Sequence, residues 1–312
     1  MAAPGITRAR AAALTRRVTV LSVGMAAVLV TLKALVWMVS GSVALMASMA
    51  DSGLDLIAST STFIAVRYAA APPDAEHRFG HGKAEAFASL IQAGLVFASA
   101  ALVGQEAIHR FIDPRPVARE DLAIAVMAAS TILTALLLIA QTRFLRQTQS
   151  VAVSSDRTHY AADLVSNLIA LAGIGAVAAF GLARLDALAG LGVTLLLLWG
   201  AVAVFRQAAD QLMDHELPEE SRARIVALMT EDPRLTDVHQ LRTRASGPTV
   251  HMQMHADLDP GLTLEAAHQV LVAAEKRVLA AFPEADIIIH PDPRGRAEPH
   301  GGAFAETVRR RS

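Results

Sequence analysis

Apolar positions along this chain gather into six long windows, at residues 18–40, 43–66, 87–111, 122–140, 161–181 and 185–205. Each approaches the roughly 20 residues that a helix needs to cross the hydrocarbon of a bilayer, so the pattern predicts six transmembrane helices. The pattern changes abruptly at Glu216-Leu217-Pro218-Glu219-Glu220. Beyond it, shorter periods predict a helix over 218–229, strands over 238–245 and 249–258 joined by the turn Ser246-Gly247-Pro248, a helix over 262–282 and a strand over 286–290. That order predicts a small two-layer α+β domain. The expected organisation is an N-terminal lead at 1–16, an all-α six-span transmembrane domain at 17–216, a soluble domain at 217–293 and a disordered tail at 294–312.

Composition sharpens the membrane reading. Of 312 residues, 53% are hydrophobic and 18% charged, with a mean hydropathy of +0.40, outside the usual range for a soluble protein of this size. Cysteine is absent, so metal chemistry must use Asp, Glu and His. A net charge of -1 gives no support for nucleic-acid binding. Arg8, Arg10, Arg16 and Arg17 precede the first window, and no small-residue cleavage site follows them at a suitable distance, so the segment is expected to be retained. Arg67, Arg78 and Lys83 follow the second window, and Arg143, Arg146 and Arg157 the fourth. The other side holds Gly41-Ser42, then Arg110, Arg115 and Arg119, then Arg184. The bias places both termini and the soluble domain in the cytoplasm.

Polar residues inside the windows carry the candidate chemistry. Asp51 and Asp55 sit four apart, on one helix face, within the second window. A solvated face would explain such a pair in water, but in a span it is a functional hypothesis by default. His159 and Asp163 repeat the spacing at the mouth of the fifth window, where an interfacial helix start capped by Ser154 or Ser155 is the alternative. Three carboxylates and an imidazole suit a divalent cation. At 1.5 Å per residue, Asp51 and Asp55 lie about 15 and 21 Å below the outer end, whereas Asp163 and His159 lie about 27 and 33 Å below theirs. If all four share an ion, the polar run Ser154-Ser155-Asp156-Arg157-Thr158 must be helical and drawn into the membrane along a water-filled cavity. Lys33, in the first window, either snorkels outward or lines that cavity.

Two further groups lie outside the windows. Asp74, His77 and His81 could close on one ion, or belong to an ordinary hydrophilic loop; Gly80 and Gly82 argue against a regular helix there. In the soluble domain His239, His251, His255, His268 and His290 recur, the last followed by Asp292. In the second strand Val250, Met252 and Met254 alternate with His251, Gln253 and His255, giving one apolar face and one bearing imidazoles. His251 is equally well an ordinary surface histidine.

In combination, Asp51 to Asp55, the loop His77-Arg78-Phe79-Gly80-His81-Gly82-Lys83-Ala84-Glu85, the pair His159 and Asp163, and the stretches from Leu241 to Thr249 and from Ile287 to Pro293 resemble the cation diffusion facilitators, in particular their iron- and zinc-exporting bacterial members. The likeness runs from about Arg16 to Pro293. It implies a homodimeric divalent-metal/proton antiporter with a metallochaperone-like (ferredoxin-like) cytoplasmic domain. It also implies a transport site at Asp51, Asp55, His159 and Asp163, and a loop site at Asp74, His77 and His81. A cytoplasmic binuclear site would use His239, His255, His268, His290 and Asp292, and Lys83 with Asp214 would form an inter-subunit charge pair. Pro291 departs from the pattern, because a side-chain ligand is expected there and proline offers none.

The implied ion is zinc, with iron, cadmium and manganese as further candidates; it is both transported and regulatory, protons are the counter-ion, and no organic cofactor is expected. His159 is the natural proton carrier, since an unperturbed imidazole titrates at about 6.5 and a bound cation excludes the proton. Two other classes compete. A membrane-anchored metal sensor would use the spans only as an anchor. An intramembrane aspartyl protease would need a carboxyl dyad sharing a proton, yet here an imidazole and a third carboxylate crowd the site.

Overall fold

The computed structural model describes residues 8–40, 43–113, 121–145, 150–180 and 184–296. Gly41, Ser42, Arg115, Arg119, Arg146, Gly181 and most of the expected tail, from 297 onward, lie outside them. The chain divides into two compact units, Met1–Leu212 and Met213–Ser312.

The first unit contains six long helices: α1 (Arg8–Ser40), α2 (Val43–Ala69), α3 (Ala84–Ile112), α4 (Asp121–Leu145), α5 (Val151–Phe180) and α6 (Arg184–Leu212). Among the described residues, four of them, α1, α3, α4 and α6, are long and apolar enough to cross a membrane. The other two, α2 and α5, carry the Asp51/Asp55 and His159/Asp163 pairs. Helix α1 begins at Arg8, inside the expected lead, and α5 begins ten residues before the apolar window at 161. Residues 154–158 are therefore helical, as ligand sharing requires. Apolar windows underestimate these helices because helical geometry continues into polar residues that have partners.

The packing of this unit is inverted relative to a water-soluble bundle. Its buried positions are rich in small and polar side chains, among them Ala26, Ala58, Ala93, Ala100, Ala201, Ser22, Ser59 and Gln92, whereas Ile57, Ile64, Leu102, Ile132, Leu195 and Trp199 are exposed. Lipid removes the reason to hide large aliphatic groups, and small residues let helices approach closely. Between α3 and α6 that closeness leaves little room for a side chain at Gly104 and Gly190. A Cβ on Gly104 would lie 2.9 Å from Thr194, and one on Gly190 would lie 3.0 Å from the Ala107 Cβ.

The second unit runs α7 (Glu219–Met229), β1 (Leu235–Ser246), β2 (Thr249–Leu258), α8 (Leu264–Ala281) and β3 (Ala285–Pro293). These elements follow the predicted order. The sheet has the order β1-β2-β3, with β1 antiparallel and β3 parallel to β2. Its core is one face of the sheet, including Leu235, Val238, Met252, Met254 and Ala256, packed on Ile225 and Met229 of α7 and on Val270, Ala274 and Val278 of α8. The four-residue repeat of that α8 stripe keeps it on one helix face. Gly247, with φ of 58°, makes the β1–β2 turn. Thr263 caps α8 by accepting a hydrogen bond from the Ala266 N–H at 3.2 Å.

Candidate metal centre

Helices α2 and α5 bring together Asp55, His159 and Asp163, whose ligand atoms lie within 4.8 Å of one another. His159 Nε2 is 2.9 Å from Asp55 Oδ1 and 3.5 Å from Asp163 Oδ2. Asp55 and His159 are buried. His159 Nδ1 and Asp163 Oδ2 are buried without a hydrogen-bond partner among the described residues. Buried polar atoms are normally satisfied, so orphaned atoms on two neighbouring side chains suit a site that takes an ion. Asp51 lies one turn earlier on α2, exposed, and is not among the three grouped ligands.

The depth estimate from sequence placed His159 well below Asp55, yet they touch. Asp55 is 12 residues into α2 and His159 is 21 residues before the end of α5. The two helices therefore do not begin and end at one level, which the estimate assumed.

Lys33 also has an assignment. Its buried ammonium donates to the Ser52 hydroxyl at 2.6 Å and to the Ser48 carbonyl at 3.2 Å, so it lines the α2 face that bears the ligands and does not snorkel outward.

Two buried carboxylates were not singled out in the sequence. Asp156 on α5 accepts hydrogen bonds from Ser59 of α2 at 3.1 Å, Gln92 of α3 at 3.3 Å and Gln141 of α4 at 2.8 Å, while Gln141 also donates to Ser22 of α1 at 3.0 Å. Five helices thus converge on one carboxylate, three residues before His159. Glu85, at the start of α3, accepts from Ser150 Oγ at 2.7 Å and from the Ala152 N–H at 3.5 Å, where the free N–H groups of α5 favour a negative charge. The available signal was a carboxylate in or beside an apolar window.

The loop between α2 and α3 is irregular, and Gly80 takes φ of 82°. It closes as the spacing allowed: His77 Nδ1 is 3.4 Å from Asp74 Oδ1, His81 Nε2 is 3.2 Å from Asp74 Oδ2, and the two imidazole centroids are 4.7 Å apart. The backbone N–H of His77, and then that of Glu76, donates to Asp74 and holds its carboxyl below the usual carboxylate range. His81 is buried against Tyr68, and its Nδ1 has no hydrogen-bond partner among the described residues.

In the second unit His239, His255 and Asp292 form a group. Asp292 Oδ2 is 2.8 Å from His255 Nδ1 and 3.2 Å from His239 Nε2, and His290 Nε2 is 3.4 Å from Asp292 Oδ1. His268 stands exposed on α8, outside that group. His251 is buried and pairs with Asp286 at 3.0 Å, so the surface reading does not hold for it. Lys83 donates to the Leu212 carbonyl at 3.4 Å in the first unit, and in the second Asp214 pairs with Arg244 at 3.1 Å.

Comparison with known proteins bears on these groups. Residues 19–213 match the cation efflux transmembrane domain, and residues 217–294 match the cation efflux protein cytoplasmic domain. The cation-efflux pump FieF of Citrobacter koseri is 37% identical over 280 residues, covering 90% of this chain and 93% of that protein. The FieF of Shewanella oneidensis is 39% identical over 272 residues, covering 87% and 92%. That of Salmonella agona is 37% identical over 280 residues, covering 90% and 93%.

Proposed function

The chain belongs to the cation efflux family of metal transporters, and we propose that it exports zinc from the bacterial cytoplasm in exchange for protons by alternating access. The family transports cations and is not a family of enzymes, so the proteolytic reading falls. The observation that carries the proposal is the Asp55–His159–Asp163 group, assembled from helices α2 and α5 of the membrane unit. Two carboxylates and an imidazole without sulfur suit zinc, and Asp51, one turn away, would complete four ligands.

Charge balance supports the assignment. Three carboxylates over-neutralise a divalent cation by one charge, and Lys33, hydrogen-bonded to Ser48 and Ser52 beside Asp51, supplies the missing positive charge. His159 exchanges the cation for a proton, because an imidazole cannot hold both on one nitrogen. Protonation on the outer side then drives release, and the proton gradient drives the cycle.

On the same reading all six long helices cross the inner membrane with both termini in the cytoplasm, and the protein works as a homodimer in which Lys83 and Asp214 pair at the membrane surface. The second unit is a metallochaperone-like domain, and its group at His239, His255 and Asp292, with His268 and His290, answers cytoplasmic zinc by favouring one dimer arrangement over another. The loop group at Asp74, His77 and His81 binds a further ion.

The test is zinc flux into proteoliposomes under an imposed pH gradient, comparing the wild type with Asp55→Ala. Flux that follows the gradient and vanishes in the variant is expected. A folded wild type that binds zinc without moving it would overturn the proposal in favour of a membrane-anchored sensor.

A further inference from the structure

Each strand of the second unit carries one histidine and one aspartate two positions apart: Asp237 and His239 on β1, His255 and Asp257 on β2, His290 and Asp292 on β3. A spacing of two keeps both side chains of a strand on one face of the sheet. The register then aligns them across strands. His239 is opposite His255, which is opposite His290; Asp237 is opposite Asp257, which is opposite Asp292. The face away from the helices thus presents a row of three imidazoles beside a row of three carboxylates.

The group at His239, His255 and Asp292 uses only half of this grid. We propose that the two remaining carboxylates, Asp237 and Asp257, form a second divalent-cation site that shares His239 as its imidazole ligand. The three ligand atoms lie within 4.8 Å of one another. His239 stands between the two halves, with Nε2 3.2 Å from Asp292 Oδ2 and Nδ1 3.7 Å from Asp257 Oδ1. Asp257 Oδ1 is buried, and it has no hydrogen-bond partner among the described residues.

A neutral imidazole offers one lone pair, so His239 serves one ion at a time. When Nδ1 faces Asp237 and Asp257, the neighbouring ion keeps His255, His290 and Asp292. The new site therefore does not depend on position 291, where proline supplies no ligand. Two carboxylates and one imidazole, completed by water, form a harder ligand set than the histidine row, and manganous ion is accommodated there alongside zinc.

The assignment is independent of transport and is tested by counting ions on the full chain in detergent. Equilibrium dialysis against Mn2+, with free ion read by electron paramagnetic resonance, gives ions bound per chain for the wild type, for Asp237→Asn combined with Asp257→Asn, and for Asp292→Asn. The double variant is expected to lose one ion per chain that Asp292→Asn retains. If circular dichroism shows the double variant unfolded, Asp237→Asn alone is expected to weaken that ion roughly tenfold or more, the scale on which second-sphere changes already act. Unchanged number and affinity in these variants, or loss of the same ion in Asp292→Asn, would overturn the proposal.

Discussion

His159 Nε2 lies 2.9 Å from Asp55 Oδ1 although 104 residues separate them in the chain. The contact joins the two helices whose polar faces had no other explanation in lipid, and it places the candidate proton carrier directly on a candidate metal ligand. Replacing His159 by Gln keeps a polar side chain of similar reach but removes the imidazole that can exchange a proton for the cation. Residual zinc flux in His159→Gln is expected to be at least tenfold lower and flat between pH 6 and 8, a loss typical of removing a general acid–base group. Flux with an unchanged pH profile would count against the proton role.

Lys33 of α1 is hydrogen-bonded to the α2 face that bears the ligands. Removing its charge leaves the carboxylates with one uncompensated negative charge when a divalent ion is bound. Lys33→Met should therefore bind zinc more tightly and release it more slowly. In flux assays the expected signature is a lower KM together with a lower maximal rate; a raised KM at unchanged rate would show that Lys33 only supports the fold.

Asp156 is the acceptor on which helices from across the bundle converge. Truncating it strands the Ser59, Gln92 and Gln141 donors in a water-poor interior. At about 1–3 kcal/mol for each orphaned group, discounted because alternative partners exist within a membrane bundle, Asp156→Ala is expected to destabilise by about 2–4 kcal/mol. Thermal unfolding in detergent, followed by the loss of helical circular dichroism, measures it. Asp156→Asn, which keeps one acceptor oxygen, should lose less.

Asp232, at the entry to β1, takes a forked contact from Arg234, at 2.7 and 3.1 Å, and accepts the Arg234 backbone N–H at 3.0 Å. The Arg234 side chain is the main reason its carboxyl is held down to about 2. A folded-state value below the unfolded one gives stability that is present above about pH 4 and lost as pH falls through about 2. Asp232→Asn should therefore speed hydrogen exchange in β1 at pH 7, by an amount within the roughly 1 kcal/mol typical of exposed pairs, with the difference narrowing below pH 4. An effect that grows on acidification would contradict the assignment.

Much of the soluble unit was legible before any coordinates. Strand β2 falls at Thr249–Leu258 as its alternation indicates, and β1, α8 and β3 differ from expectation only at their ends. The two-residue period and the turn at Gly247 are local signals, and local signals survive in sequence. The aspartate–histidine spacing was equally visible on each strand, yet its meaning was not. Asp237 faces Asp257 only because of the pairing register, which is set by which residues reach the core.

For the membrane unit the sequence by itself determined that long apolar helices must form and that Asp51, Asp55, His159 and Asp163 are the polar residues requiring a reason to be there. Hydrophobicity and helical spacing are properties of neighbours along the chain, so they need no fold to be read. Only the tertiary structure decided that Asp55, His159 and Asp163 meet while Asp51 stands a turn away, that Lys33 turns to Ser52, and that Asp156 gathers five helices. Those outcomes depend on the relative shift and rotation of whole helices, which small residues and buried hydrogen bonds fix jointly and which leave no periodic trace in any one segment.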